Sequence, residues 1–135
     1  MIEPHSAAAL LTRLFLGILF LFQGYDKVFT IKIAGVIEEF RYELNKKHIP
    51  LAAVRTGAWI TSLIELAGGA LLILGIAKYT VLYFLAADII MVSIAFSIIR
   101  PMWDLQFVFP RLLLLILLLI LPAEWDVLSV DYFLK

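Results

Sequence analysis

"SLIELAGGALLILG", residues 62–75, is the stretch that decides the fold. It is apolar enough for lipid, yet it carries a carboxylate at Glu65 and a pair of glycines, Gly68 and Gly69, three and four residues further on. A charge at the centre of a membrane helix costs at least about 2.5 kcal/mol on insertion scales. Glu65 must therefore face protein and find a partner there. The segment reads as one helix of a membrane bundle, with Glu65, Gly68, Gly69 and Leu72 sharing its inward face.

The rest of the chain agrees. It has 135 residues, is 64% hydrophobic, has a mean hydropathy of +1.03 and is only 16% charged. A soluble domain is about 45–50% apolar. The composition implies one integral membrane domain over residues 1–135. The absence of cysteine excludes disulfides, thiolate catalysis and iron–sulfur ligation by this chain. A net charge of zero gives no footprint for nucleic acid. His5 and His48 flank different helices on opposite sides, which argues against a haem pair, and no metal-ligand spacing is present. The first apolar segment carries Arg13, Gln23 and Lys27 and reads as a retained span.

Crossing a hydrocarbon core of about 30 Å takes about 20 helical residues. Four spans are predicted, at residues 7–29, 51–76, 79–99 and 105–121. The tight turn "GIAKY" makes the second and third an antiparallel pair. Pro101 and Asp104 mark the turn into the fourth, with an early helix start, a kink at Pro110 and an end at Pro122. Between the first two spans, Ile33, Val36, Ile37, Phe40 and Leu44 recur at helical spacing. They predict an amphipathic interfacial helix over residues 31–47, ended by Lys46, Lys47 and His48 before Pro50. The expected fold is all-α: a polytopic four-helix bundle with that surface helix between its first two members. Lys27, Lys32, Arg41, Lys46, Lys47, Arg55 and Arg100 fall on one side, against Lys78 and Lys135 on the other. The positive-inside rule then puts both termini outside.

Four charges fall within the predicted spans: Arg13, Glu65, Asp88 and Arg111. At 1.5 Å per residue, Arg13 lies roughly 9 Å from the terminus side, Asp88 about 14 Å, and Glu65 and Arg111 about 16 Å. They are expected to turn inward as a neutral polar centre, with Glu65 held by one or both arginines. Arg13, Gly17, Phe20, Gly24 and Lys27 share one face of the first helix, where the glycines invite close packing. Gln23, Tyr25 and Lys27 lie near the opposite mouth and could receive a polar head group. Trp59, Trp103 and Trp125 read as interfacial or lipid-facing anchors. The run "LLLLILLLIL", residues 112–121, suits lipid, a partner protein or a second copy of the chain. The tail "PAEWDVLSVDYFLK" reads as a short acidic surface segment.

The spacing Arg13-x3-Gly17-x2-Phe20-x3-Gly24-x2-Lys27 resembles the opening of the DoxX family. "HIPLAAV" is similar to that family's segment ahead of its second helix, and "ELAGGALLILG" to its most recognisable stretch. "WDVLSVD" is similar to its terminal serine–aspartate ending. DoxX-like proteins include a subunit of a thiosulfate:quinone oxidoreductase and components of membrane oxidoreductase complexes, and distant four-helix relatives act in membrane-protein trafficking or assembly. The resemblance implies a prokaryotic inner membrane. It transfers Arg13, Lys27, Glu65, Gly68 and Gly69 as matched positions but no catalytic set.

Three functions fit these residues. One is a subunit or accessory of a membrane redox complex, not catalytic alone, whose polar site takes a quinone-like or other amphipathic molecule. Arg13, Glu65, Asp88, Arg111, Gln23 and Lys27 are then the ligand-binding or proton-handling candidates. The second is a non-catalytic assembly protein whose charges only fix helix packing. The third, transport, lacks an inverted repeat.

Overall fold

Pro4 opens the first helix, at a position where its missing N–H has no intrahelical partner to lose. In the computed structural model, which describes residues 3–100 and 108–134, α1 runs Pro4–Tyr25 and continues into one π turn, Asp26–Thr30. The chain then reverses through two short helices, α2 (Lys32–Glu39) and α3 (Arg41–Lys46). α4 (Leu51–Leu74) follows Pro50, and α5 (Lys78–Ile99) returns beside it. α6 (Phe109–Ile120), a 3-10 turn (Ala123–Trp125) and the single-turn α7 (Val130–Phe133) complete the described chain.

Gly75 ends α4 in the left-handed region, at φ 72°. The N–H of Gly75 bonds the carbonyl of Leu72 and that of Ile76 the carbonyl of Leu71, at 3.1 and 3.0 Å, a Schellman ending that satisfies two of the last carbonyls. The surface helix expected over residues 31–47 is broken at Phe40, which leaves helical geometry with φ −108° and ψ 6°. Its ring packs edge-on to Phe96 and lies beneath the Arg100 guanidinium. The apolar stripe survives the break: Ile33, Ile37 and Leu44 are buried together with Ile99.

Helix packing in lipid relies on close van der Waals contact, because lipid tails are as apolar as leucine. α1 and α4 achieve it through glycine. A Cβ on Gly24 would lie 2.5 Å from the backbone nitrogen of Leu66, and one on Gly69 would lie 2.4 Å from that of Leu21. Gly17 faces the same seam, with the Gly69 carbonyl 3.0 Å from where its Cβ would be. Gly68 faces α5 instead, where a Cβ would meet the Leu85 side chain at 2.8 Å. Leu16, Phe20, Leu72, Leu82, Leu85, Leu115 and Leu118 fill the core between the helices.

Three helices are long and apolar enough to cross a membrane: Pro4–Thr30, Leu51–Leu74 and Lys78–Ile99. Only 28–33% of their most apolar stretches is buried inside the protein, so most of that apolar surface faces outward, as a lipid environment requires. The expected fourth span is shorter. α6 has twelve residues, about 18 Å of helix. Val108 caps it and Pro110 sits in its first turn, where proline is tolerated, so no kink forms there. The expectations for Pro101, Trp103 and Asp104 lie outside the described residues. His5 stacks on Trp125 at 4.9 Å, which brings the two ends of the described chain to one end of the bundle. Trp125 is half-buried against His5, whereas Trp59 is exposed.

Candidate functional site

Glu65 is 1% exposed, and Lys27 holds it. The ammonium donates to both carboxylate oxygens, at 2.9 and 2.7 Å. Lys27 reaches it from the π turn that extends α1. This corrects the expectation that Arg13 pairs with Glu65, whereas Arg111, the other arginine expected there, does act on the Glu65 charge. Asp88 on α5 is equally buried, and Lys27, Glu65 and Arg111 all act on its charge. Glu65 and Asp88 act in turn on Arg111. Two positive and two negative groups thus form a neutral polar centre, with Lys27 in the place expected of Arg13. Asp88 Oδ1 and Gln23 Oε1 are buried and accept no hydrogen bond among the described residues.

Arg13 belongs to a second centre near the chain ends. It is 1% exposed. Its Nε donates to Asp126 Oδ1 at 3.1 Å, Nη1 to the carbonyls of Leu72 and Ile73 at 2.9 and 2.6 Å, and Nη2 to that of Leu128 at 3.0 Å. A guanidinium at the last carbonyls of α4 gives Ile73 a donor, adds a second one to Leu72 and meets the negative end of the helix dipole. The segment carrying Asp126 is no surface tail. Asp126 and Ser129 are 2% and 4% exposed. The Asp131 N–H bonds the Gly75 carbonyl at 3.1 Å, and its carboxylate accepts from the Lys78 N–H at 3.3 Å. The C-terminal segment is strapped across the α4–α5 turn. Charge parity was the signal available in the sequence: with Glu65 taken by Lys27, Arg13 needs another carboxylate, and Asp126 lies among apolar neighbours.

Beside the Lys27–Glu65 pair lies an apolar crevice of about 300 Å³ between α2–α3, α4 and α5. Val36, Phe40, Val54, Ala58, Met91 and Phe96 form much of its wall, with Thr61 and Lys27 supplying polar atoms. Lys27 is the only charged residue among the described residues that line it. Gly57 widens it, since a Cβ there would meet nothing within 4 Å. At the rim, Arg100 reaches Glu43 at 3.1 Å and Glu39 at 3.6 Å, and Lys47 donates to the carbonyl of Ile98. These contacts clasp α2 and α3 to the end of α5. The Glu43 carboxyl is held below the ordinary range, first by its own backbone N–H and then by Arg100. Tyr25 is turned outward against Phe29 and does not join the crevice.

Residues 8–99 match the family model described as DoxX. No curated protein and no solved structure matches the chain.

Proposed function

This chain belongs to the DoxX family, and we propose that it serves a membrane redox complex as a subunit or accessory that holds a quinone-like amphipathic molecule. The single observation that carries the reading is the crevice: an apolar wall with one charged lining residue, Lys27, which is bonded behind it to Glu65. A ring and tail would lie against Val54, Ala58, Met91 and Phe96. The Lys27 ammonium would donate to a carbonyl oxygen of the head, and Glu65 would supply or take up a proton. Electrons would come from a partner subunit or a bound organic cofactor, because the chain has no cysteine for a cluster of its own. In this reading the membrane is a prokaryotic inner membrane, α2 and α3 lie at its interface, and both termini are outside. The outer face of α6, with Leu113, Ile116, Leu117 and Ile120 exposed, meets lipid, a partner or a second copy.

The test is photolabelling with a light-activated quinone analogue, followed by peptide mapping. Labels on crevice peptides, reduced in Gly57→Leu while folding is retained, support the proposal. Labels spread over the outer helix faces and indifferent to that substitution refute it.

An assembly role has its own supporting observation. The glycine seam and the two-oxygen grip of Lys27 on Glu65 are what a register-fixing device requires. Glu65→Gln separates the readings: loss of folded protein favours register fixing, and retained folding with loss of bound ligand favours the crevice.

A further inference from the structure

At the other end of the bundle, the C-terminal strap encloses a second cavity of about 310 Å³ over the α4–α5 turn. Lys78, Asp126, Ser129 and Asp131 line it together with Tyr79 and Tyr132. Lys78 is only 5% exposed, yet its Nζ donates no hydrogen bond among the described residues, and Asp126 Oδ2 accepts none. The two atoms stand 3.9 Å apart. That is too far for a hydrogen bond and close enough for one oxygen to reach both. The neighbouring polar groups are engaged. Arg13 holds Asp126 Oδ1, Asp131 accepts from the Lys78 N–H, and Ser129 Oγ donates to the Asp126 carbonyl and accepts from the Tyr132 N–H.

We propose that this cavity binds a small uncharged phenol, whose hydroxyl bridges Lys78 and Asp126. The charges around it balance, with Arg13 and Lys78 set against Asp126 and Asp131. An anion would gain Lys78 but face both carboxylates, and a cation would meet the reverse. A hydroxyl oxygen accepts from the ammonium and donates to the carboxylate, so both buried groups are satisfied. An ether or carbonyl oxygen only accepts, which leaves Oδ2 unmatched. The Tyr79 ring centre, 5.4 Å from Nζ, and the Tyr132 ring offer aromatic wall to a ring rather than to a polyol. The volume lies at the small end of the roughly 300–1,000 Å³ range of ligand sites, which suits a single ring. The inference is independent of the crevice and of any quinone there.

Saturation-transfer NMR on the full chain in detergent micelles tests it, with phenol, anisole, benzoate and glycerol as probes. Phenol should bind saturably, and anisole, benzoate and glycerol at least roughly tenfold more weakly, as expected for a lost hydrogen bond to charged groups. Lys78→Met should weaken phenol binding by a similar factor. Tyr132→Ala, at an exposed position of the wall, should weaken it with the fold intact, and this variant decides the matter if Lys78→Met does not fold. Gly57→Leu in the distant crevice should leave phenol binding unchanged. Equal binding of phenol and anisole, preference for glycerol or benzoate, or phenol affinity unchanged in Tyr132→Ala would overturn the assignment.

Discussion

Arg13 on α1 and Lys27 in the π turn that extends it lie about 21 Å apart along the helix axis, and the chain uses them differently. Arg13 spends its guanidinium on three backbone carbonyls and one carboxylate. Its planar fork suits fixed acceptors, and it ties together α1, the end of α4 and the C-terminal strap. Among the described residues Lys27 donates to the Glu65 carboxylate and acts on the charge of Asp88, and its side chain is 18% exposed beside the crevice. One cation is enclosed by structure that depends on it. The other donates to one carboxylate among the described residues and borders a cavity. Their burial differs less than their wiring, so a buried charge in a membrane bundle is better judged by what it bonds than by its depth.

Substitutions sharpen the contrast. Arg13→Met should cost most, about 3–5 kcal/mol, because the buried Asp126 then keeps only the Lys78 ammonium 3.9 Å away and three backbone carbonyls lose a donor. Thermal or denaturant unfolding in micelles measures it, and a loss under about 1 kcal/mol would show that the strap does not depend on Arg13. The two kinds of glycine form a second contrast. Gly24→Ala pushes a methyl into the α4 backbone and should destabilise by about 1–3 kcal/mol. Gly57→Ala meets open space and should stabilise by roughly 0.5–1 kcal/mol through helix propensity. The same unfolding curves distinguish them by sign. Double-mutant cycles then test the wiring: Lys27 and Glu65 should couple by about 0.5–3 kcal/mol, whereas Arg13 and Glu65 should be additive within about 0.5 kcal/mol.

The smallest effect concerns the rim. The folded Glu43 carboxyl titrates below its unfolded value. The clasp with Arg100 therefore contributes above the ordinary glutamate value of about 4 and is lost as pH falls through the lowered folded value. The protection factors against hydrogen exchange at the Ile37 and Leu44 amides, taken relative to the intrinsic rate at each pH, should fall on acidification through that window. Arg100→Gln should weaken this acid dependence, and an unchanged profile would contradict the clasp.

Much of this architecture was legible in the sequence. The apolar runs marked the three long helices, and the stripe from Ile33 to Leu44 marked the inward face of α2 and α3. The chemistry of Glu65 required a cation. Which cation it would be was obscured by counting depths from flush helix ends. Even so, the counted depths of Arg13 and Glu65 differ by about 7 Å, more than one helical turn of 5.4 Å. In the structure Gly17 packs on Gly69 and Ile73, and Gly24 on Leu66. That register sets Arg13 against the Leu72–Ile73 carbonyls and leaves Glu65 to Lys27. The strap was hidden for another reason. A one-turn helix behind Pro122 has no periodicity to read, and only the unmet charge of Arg13 hinted that Asp126 turns inward.

The most direct test of the difference between the two centres is quantitative mass spectrometry of small molecules extracted from gently purified protein, wild type against Lys27→Met and Gly57→Leu. The account predicts a near-stoichiometric quinone or similar amphiphile in the wild type, lost from both variants while they remain folded. Bulk lipid alone in all three proteins, at several detergent concentrations, would contradict it and leave Lys27–Glu65 as a packing device like Arg13–Asp126.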